Sequence, residues 1–78
     1  MSKYQVFLYN DDKHQMVYVI SCLIKVCNHE LDQAEQCVLI AHHKGKCDIY
    51  SGDIIEAKSV IDRLTELNLK VKMKEICV

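Results

Sequence analysis

The residues best suited to chemistry in this chain form a short polar cluster, Asn10-Asp11-Asp12. It stands between an apolar run (Tyr4, Val6, Phe7, Leu8) and another that begins at Met16. One amide and two carboxylates in succession offer the oxygens that a cation seeks. The same side chains also bond local backbone, so they equally suit a plain turn or the start of a helix. Their company favours a site. Met16 and Val19 follow at the start of one helical stripe, and His42-His43 lie at the end of the next.

Other reactive residue types form weaker patterns. Cys37, His42, His43 and Cys47 are zinc-ligand types, but intervals of four and three residues match no common structural site, and Cys37 falls on an apolar helix face. No metal and no cofactor are expected. Five cysteines, an odd number without a CxxC pair, read as reduced thiols that pack as small hydrophobes, which suits a reducing compartment. With five thiols and four histidines in so short a chain, chance Cys-His pairs are easy, and an enzyme is not expected. Lys70, Lys72 and Lys74 alternate as a solvated strand face guarded against edge pairing. Ten Lys and Arg against eleven Asp and Glu, with no long run of either sign, argue against nucleic acid and anionic membrane as partners.

These residues must be positioned by few elements, because 78 residues allow one compact unit. Tyr4, Val6 and Leu8 alternate in a first strand that the Asn10-Asp11-Asp12 cluster ends. Apolar residues at 16, 19, 20, 23, 24 and 27 form a wide helical stripe. A second helix runs from about Leu31 to His43, with Ala34, Cys37, Val38 and Ala41 on one face, and Gly45 stops it. Residues 46–50 are a short strand. Ser51-Gly52-Asp53 then opens an amphipathic helix carrying Ile54, Ala57, Val60, Ile61, Leu64 and Leu67, with Glu56 in its first turn. Asn68 can cap it in a left-handed conformation, and a last strand from Leu69 places Leu69, Val71 and Met73 inward. The order β-α-α-β-α-β predicts an α+β fold in two layers, a small three-stranded antiparallel sheet covered by helices. The longest apolar stretch, Met16 to Val26, is broken by Ser21 and Lys25 and falls short of the ~20 residues that span a bilayer. Met1-Ser2-Lys3 runs straight into a strand pattern without a signal peptide, so a cytoplasmic location is expected.

Three separated motifs then resemble one known family. Residues 4–20 (YQVFLYNDDKHQMVYVI), the helix holding Ala34, Val38 and Ala41-His42-His43-Lys44-Gly45-Lys46, and residues 49–58 (IYSGDIIEAK) are similar to ClpS, the adaptor of the Clp ATP-dependent proteases. The likeness covers about Tyr4 to Glu75. It implies a module that holds N-degrons, substrates whose free N-terminal residue is Leu, Phe, Tyr or Trp, for the N-terminal domain of a ClpA- or ClpC-like AAA+ unfoldase. By this resemblance Asn10, Asp12 and His42 surround the substrate α-ammonium, and Asp11 meets the backbone after it. Met16, Val19, Val38 and Ala41 form the apolar socket, with Tyr9 and Leu69 or Val71 at its rim. Asp53 and Lys58 would dock on the unfoldase. An α-amino group is largely cationic at pH 7, so carboxylate and amide oxygens suit it. His42 can accept only through an unprotonated nitrogen, and binding is expected to weaken as acid protonates it.

The chain also departs from the pattern. His14-Gln15 stand where the family usually has Thr-Pro, and Val38 and Ala41 stand where many relatives carry Met and Val, which predicts a roomier pocket favouring Trp, Phe and Tyr over Leu. Family adaptors carry a flexible N-terminal tail used in delivery, where this sequence has only Met1-Ser2-Lys3. Residues 1–78 are accordingly expected to be a single adaptor domain, most simply a monomer, that binds N-degrons and either delivers them or modulates the unfoldase. The competing expectation is a non-catalytic interaction domain, since the element order is also similar to the C-terminal domain of the ribosomal stalk protein.

Overall fold

A computed structural model describes residues 2–11 and 13–77, with Ser2 and Cys77 described by their backbone. Six elements follow one another: β1 (Ser2–Tyr9), α1 (Met16–Cys27), α2 (Leu31–Lys44), β2 (Lys46–Gly52), α3 (Ile54–Glu66) and β3 (Val71–Cys77). The strands form one antiparallel sheet in the order β2-β1-β3, so the chain's first strand is its central one. This is the α+β architecture expected from the sequence.

Alternation along β1 turns Val6 and Leu8 toward the helices, where they are buried with Leu23 of α1, Ala34 of α2 and Leu64 of α3. Phe7 faces the other way, with the Lys46 ammonium 5.0 Å from its ring. The pairing of β1 with β2 shifts between Val6 and Phe7, whose partners are Tyr50 and Asp48, so Ile49 is an extra residue on β2. Its carbonyl accepts a hydrogen bond from Nε2 of the buried His29 at 2.7 Å, fastening the α1–α2 turn to the sheet.

The helices end where backbone freedom allows. Gly45 closes α2 at φ +97°, and Asn28 and Asn68 take left-handed conformations after α1 and α3. Asp53 starts α3 by accepting from the Glu56 N–H at 2.9 Å.

The last strand begins later than its sequence pattern suggests. Leu69 N–H still donates to the Leu64 carbonyl at 3.1 Å, so Leu69 belongs to the closure of α3, buried at 5% exposure, and β3 starts at Val71. Met73, expected inward, is 37% exposed. It pairs with the fully buried Val6 but sits on an edge strand, whose outer side has no neighbouring strand among the described residues.

Candidate functional site

The end of β1 is held from both sides. Tyr9 N–H donates to the Lys70 carbonyl at 2.9 Å, and Asn10 N–H donates to the Gly45 carbonyl at 2.9 Å. Gly45 can offer that carbonyl because it closes α2 in a left-handed conformation, donating its own N–H to Ala41. The cap of α2 is therefore tied to the polar cluster, which brings Ala41 and His42, on the last turn of the helix, beside Asn10.

The loop into α1 is braced in turn. Asp11 Oδ1 accepts from the Lys13 N–H at 2.7 Å, a local Asx-type bond, and its Oδ2 is hydrogen-bonded to His14 Nδ1. The His14 ring stacks on Tyr18 at 5.0 Å and 17° between planes, and the Tyr18 hydroxyl donates to the Leu67 carbonyl at 2.9 Å. A run of contacts thus links Asp11 to the end of α3.

Between these supports lies a cavity of about 280 Å³. Leu8, Val19, Val38 and Ala41 supply buried apolar walls, Met16 stands at the mouth with 41% exposure, and Asn10, Asp11, His14 and His42 line it with polar groups. Of the residues singled out from the sequence, Tyr9, Asn10, Asp11, Met16, Val19, Val38, Ala41 and His42 meet at this one cavity. Asp12 lies outside the described residues. Tyr9 lines the cavity while the Lys72 ammonium covers its ring at 5.6 Å. Leu69 and Val71 are not brought to it. Leu69 lines a neighbouring hollow, and Val71 is half-buried in β3 opposite Leu8. Asp53 and Lys58 lie at the start of α3, Asp53 as its cap and Lys58 exposed one turn later.

Two lining residues were not anticipated, Leu8 and His14. Leu8 shares the face of Val6, so its alternation placed it under the helices without saying that it borders a void. For His14 the signal was spacing: three residues after Asp11 and four before Tyr18, it can bond the first and stack on the second, but only once the loop shape is known.

Electrostatically, the His14 hydrogen bond holds the Asp11 carboxyl below its usual value, helped by the Lys13 N–H and by the charges of His14 and Lys70 and opposed by burial. These contacts favour the ionised carboxylate of Asp11, so its loss of charge is displaced toward more acidic pH. Among the described residues, no hydrogen bond engages the Asn10 carboxamide or the His42 imidazole, whose ring meets His43 edge-on at 5.3 Å. Free oxygen and nitrogen acceptors at the rim of an apolar cavity suit a ligand with a cation next to a hydrophobic group.

The cysteines belong to a different environment. Cys37 and Cys47 are buried, both thiols directed at the Asp48 carbonyl at 3.9 and 3.5 Å, away from His42 and His43 on the exposed side of α2. Burial, reinforced by Cys37, pushes the Cys47 thiol up to about 12, and burial pushes the Cys27 thiol to about 11, so both stay neutral and poorly nucleophilic. No three His, Cys, Asp or Glu residues are grouped to hold a metal ion among the described residues. No helix there is long and apolar enough to cross a membrane.

Comparison with known proteins places this arrangement. The family model described as ATP-dependent Clp protease adaptor protein ClpS matches residues 1–72. The ATP-dependent Clp protease adapter protein ClpS of Sodalis glossinidius (strain morsitans) is 39% identical over 61 residues, 76% of this chain and 58% of that protein. The protein of the same name from Campylobacter jejuni subsp. jejuni (strain 81-176) is 37% identical over 78 residues, 92% of this chain and 81% of its own length. Among solved structures, Agrobacterium tumefaciens ClpS2 bound to L-phenylalaninamide superposes with a TM-score of 0.91 over 96% of this chain and 98% of that one. At 21% identity that likeness is one of fold. With its family model matched over nearly its whole length, the chain belongs to the ClpS family of ATP-dependent Clp protease adaptor proteins.

Proposed function

We propose that this chain is an N-degron adaptor: it binds the free α-amino group and the bulky apolar side chain of a substrate N-terminus and links the substrate to a Clp AAA+ unfoldase. The observation that carries this reading is the convergence on one cavity of apolar walls (Val19, Val38, Ala41, with Met16 at the mouth) and acceptors without a partner among the described residues (Asn10, His42). An N-terminal Phe presents a matching pair, an ammonium and an aromatic ring on neighbouring atoms. The solved relative holding L-phenylalaninamide, an amine next to an aromatic ring, supports this chemistry.

Burying one large apolar side chain contributes about 1.5–3 kcal/mol, and each hydrogen bond to the ammonium about the same. A few such contacts support micromolar binding, near -8 kcal/mol. Asp12, adjoining Asp11, completes the acceptor set in this reading. Met16 acts as a gate: γ-branched and aromatic side chains pass it on a slim Cβ, while β-branched Val and Ile press against it. With Val38 and Ala41 as walls, Trp, Phe and Tyr are preferred to Leu. Docking on the unfoldase N-domain uses the exposed start of α3, around Asp53 and Lys58.

The test is fluorescence anisotropy with short peptides led by Phe, Trp, Leu, Val or Ser, each free and N-acetylated. The free Phe peptide is expected to bind and its acetylated form to lose at least tenfold. Asp12→Ala and His42→Ala are each expected to lose most binding while the fold, followed by circular dichroism, is retained. Equal binding of the acetylated peptide, with both variants silent, would instead support an interaction domain without an amine site.

A further inference from the structure

Strand β3 is an edge whose backbone is only half engaged. Tyr9 N–H donates to the Lys70 carbonyl, continuing the register that sets Phe7 opposite Lys72 and Gln5 opposite Lys74. In an antiparallel ladder, alternate residues turn their N–H and C=O groups to the same neighbour. Lys72 and Lys74 therefore turn theirs to β1. Val71, Met73 and Glu75 turn theirs away from it, where no strand follows among the described residues.

The two faces of this edge differ in chemistry. On the helix side Val71 is half-buried and Met73 is 37% exposed, so apolar surface stands uncovered beside the open backbone. On the other side Lys72 and Lys74 are exposed, and neither ammonium lies within ion-pair distance of a carboxylate among the described residues. The register puts Lys3 and Lys46 on that same face together with one acid, Asp48, on the far edge strand. Asp48 accepts from Gln5 Nε2 at 3.0 Å, and Glu75 turns to the helix side opposite Tyr4. The face beside β3 is thus strongly cationic in a chain whose net charge is -1.

We infer that β3 is a docking edge for an extended segment of a partner polypeptide in which acidic and apolar residues alternate. Added as a fourth strand, such a segment pairs its backbone with Val71, Met73 and Glu75. Because side chains alternate along a strand, its acidic residues stand beside Lys72 and Lys74 while its apolar residues lie over Val71 and Met73. A second copy of β3 does not fit, since it would set lysines against lysines. The lysines that keep like strands off the edge therefore select the strand that joins it. This recognition uses no N-terminal amine and stands apart from the N-degron reading.

The test uses an N-acetylated, C-amidated octapeptide, Gly-(Glu-Val)3-Gly, which has no free amine for the cavity. It is followed by fluorescence anisotropy and by the amide NMR spectrum of the protein. The peptide is expected to bind at low ionic strength and to shift the amide signals of Val71, Met73 and Glu75 more than those of Asn10 and His42. An alternating Lys-Val peptide, and one with its three Glu followed by its three Val, are each expected to bind at least fivefold more weakly. Lys72→Gln/Lys74→Gln, with its fold checked by circular dichroism, should weaken the Glu-Val peptide about three- to tenfold, the range of two exposed ion pairs. Only alternate peptide N–H groups face β3, so N-methylation of either the Val amides or the Glu amides should abolish binding and the other should spare it. The same response to both methylated peptides, or equal binding of the Glu-Val, Lys-Val and block peptides, overturns the docking edge. Full binding by the double lysine variant overturns it too. A single-stranded octathymidylate that bound more tightly than the Glu-Val peptide would assign the lysine face to nucleic acid instead. Each of these failures leaves recognition of a Phe-led N-terminus standing, because no probe carries a free amine.

Discussion

The hollow at the start of α1 and another at its end have nearly the same volume, about 280 and 260 Å³. Both adjoin apolar residues, and a lining residue of each meets one of the chain's two glycines, Asn10 bonding the Gly45 carbonyl and Tyr50 lying against Gly52. They differ in what their polar groups do. At the end of α1, the hollow between Val26, Cys27 and Val60 is bordered by Tyr50 and Glu56, and the Tyr50 hydroxyl donates to the Glu56 carboxylate. At the start of α1, Asn10 and His42 have no such partner among the described residues. Volume alone would not separate the two; unspent hydrogen-bonding capacity beside apolar wall does.

The strongest way to break this distinction is to fill each hollow in turn. Ala41→Leu puts added carbons into the first, and Ser59→Leu puts them into the second. The first is expected to weaken binding of a Phe-led peptide thirtyfold or more, about 2 kcal/mol. The second should leave it within twofold. Ala41 is 2% exposed, so overpacking can also lower stability, by about 1–3 kcal/mol. Thermal melts beside the anisotropy separate the effects, since a loss of binding in a protein still folded at the assay temperature is a loss of site. Equal losses in both variants would show that neither hollow is special.

A smaller contrast lies in the two glycines. Gly45 has φ +97° and open space where a Cβ would go, so Gly45→Ala meets no clash and suffers only the backbone penalty of a left-handed residue, about 1–2 kcal/mol. Because the Gly45 carbonyl holds Asn10, the strain is expected to reach the site and weaken peptide binding as well. At Gly52 the backbone is ordinary, and a Cβ would stand 2.6 Å from the Tyr50 hydroxyl. That atom is the far end of a movable ring. Gly52→Ala should thus displace the Tyr50–Glu56 bond at a cost of about 1 kcal/mol or less and leave binding unchanged. Urea unfolding of both variants ranks them, and the reverse order would mean that Gly45 is not under the constraint its φ implies.

These contrasts show which parts of the molecule the sequence could declare. The elements themselves were legible, because a 3.6-residue stripe or a two-residue alternation is written in the chain, and Gly45, Asn68 and Asp53 mark the helix ends they actually occupy. The start of β3 was not, because Leu69-Lys70-Val71 alternates like a strand whether or not Leu69 first closes α3. Met73 was misjudged for a related reason: alternation tells which face a residue shares, and only the strand order tells that its strand is an edge. In the site, residues carried by elements (Met16, Val19, Val38, Ala41, His42) were found from periodicity and family likeness together. His14 depends on a loop conformation that no periodicity encodes, and the neighbouring hollow lined by Leu69 arises only when that loop meets the α3–β3 connection.

The finest test of the comparison concerns the bond that occupies the far hollow. The Glu56 hydrogen bond, with burial and the charges of Glu56 and Asp53 adding to it, pushes the Tyr50 hydroxyl up to about 12 from 10. A phenol whose pKa is raised in the folded state contributes stability that is whole below the unfolded value and is lost as pH climbs through the folded one. The bond is thus intact up to about pH 10 and disappears toward about 12. Tyr50→Phe lacks it at every pH. The stability difference between the protein and this variant, from urea unfolding at successive pH values, should therefore be constant up to pH 10 and shrink toward zero above it. Groups common to both proteins cancel in the difference. A gap that stayed constant through pH 12 would mean that the hydroxyl stabilises the fold through something other than its donated proton. The two hollows would then differ in packing rather than in hydrogen bonding.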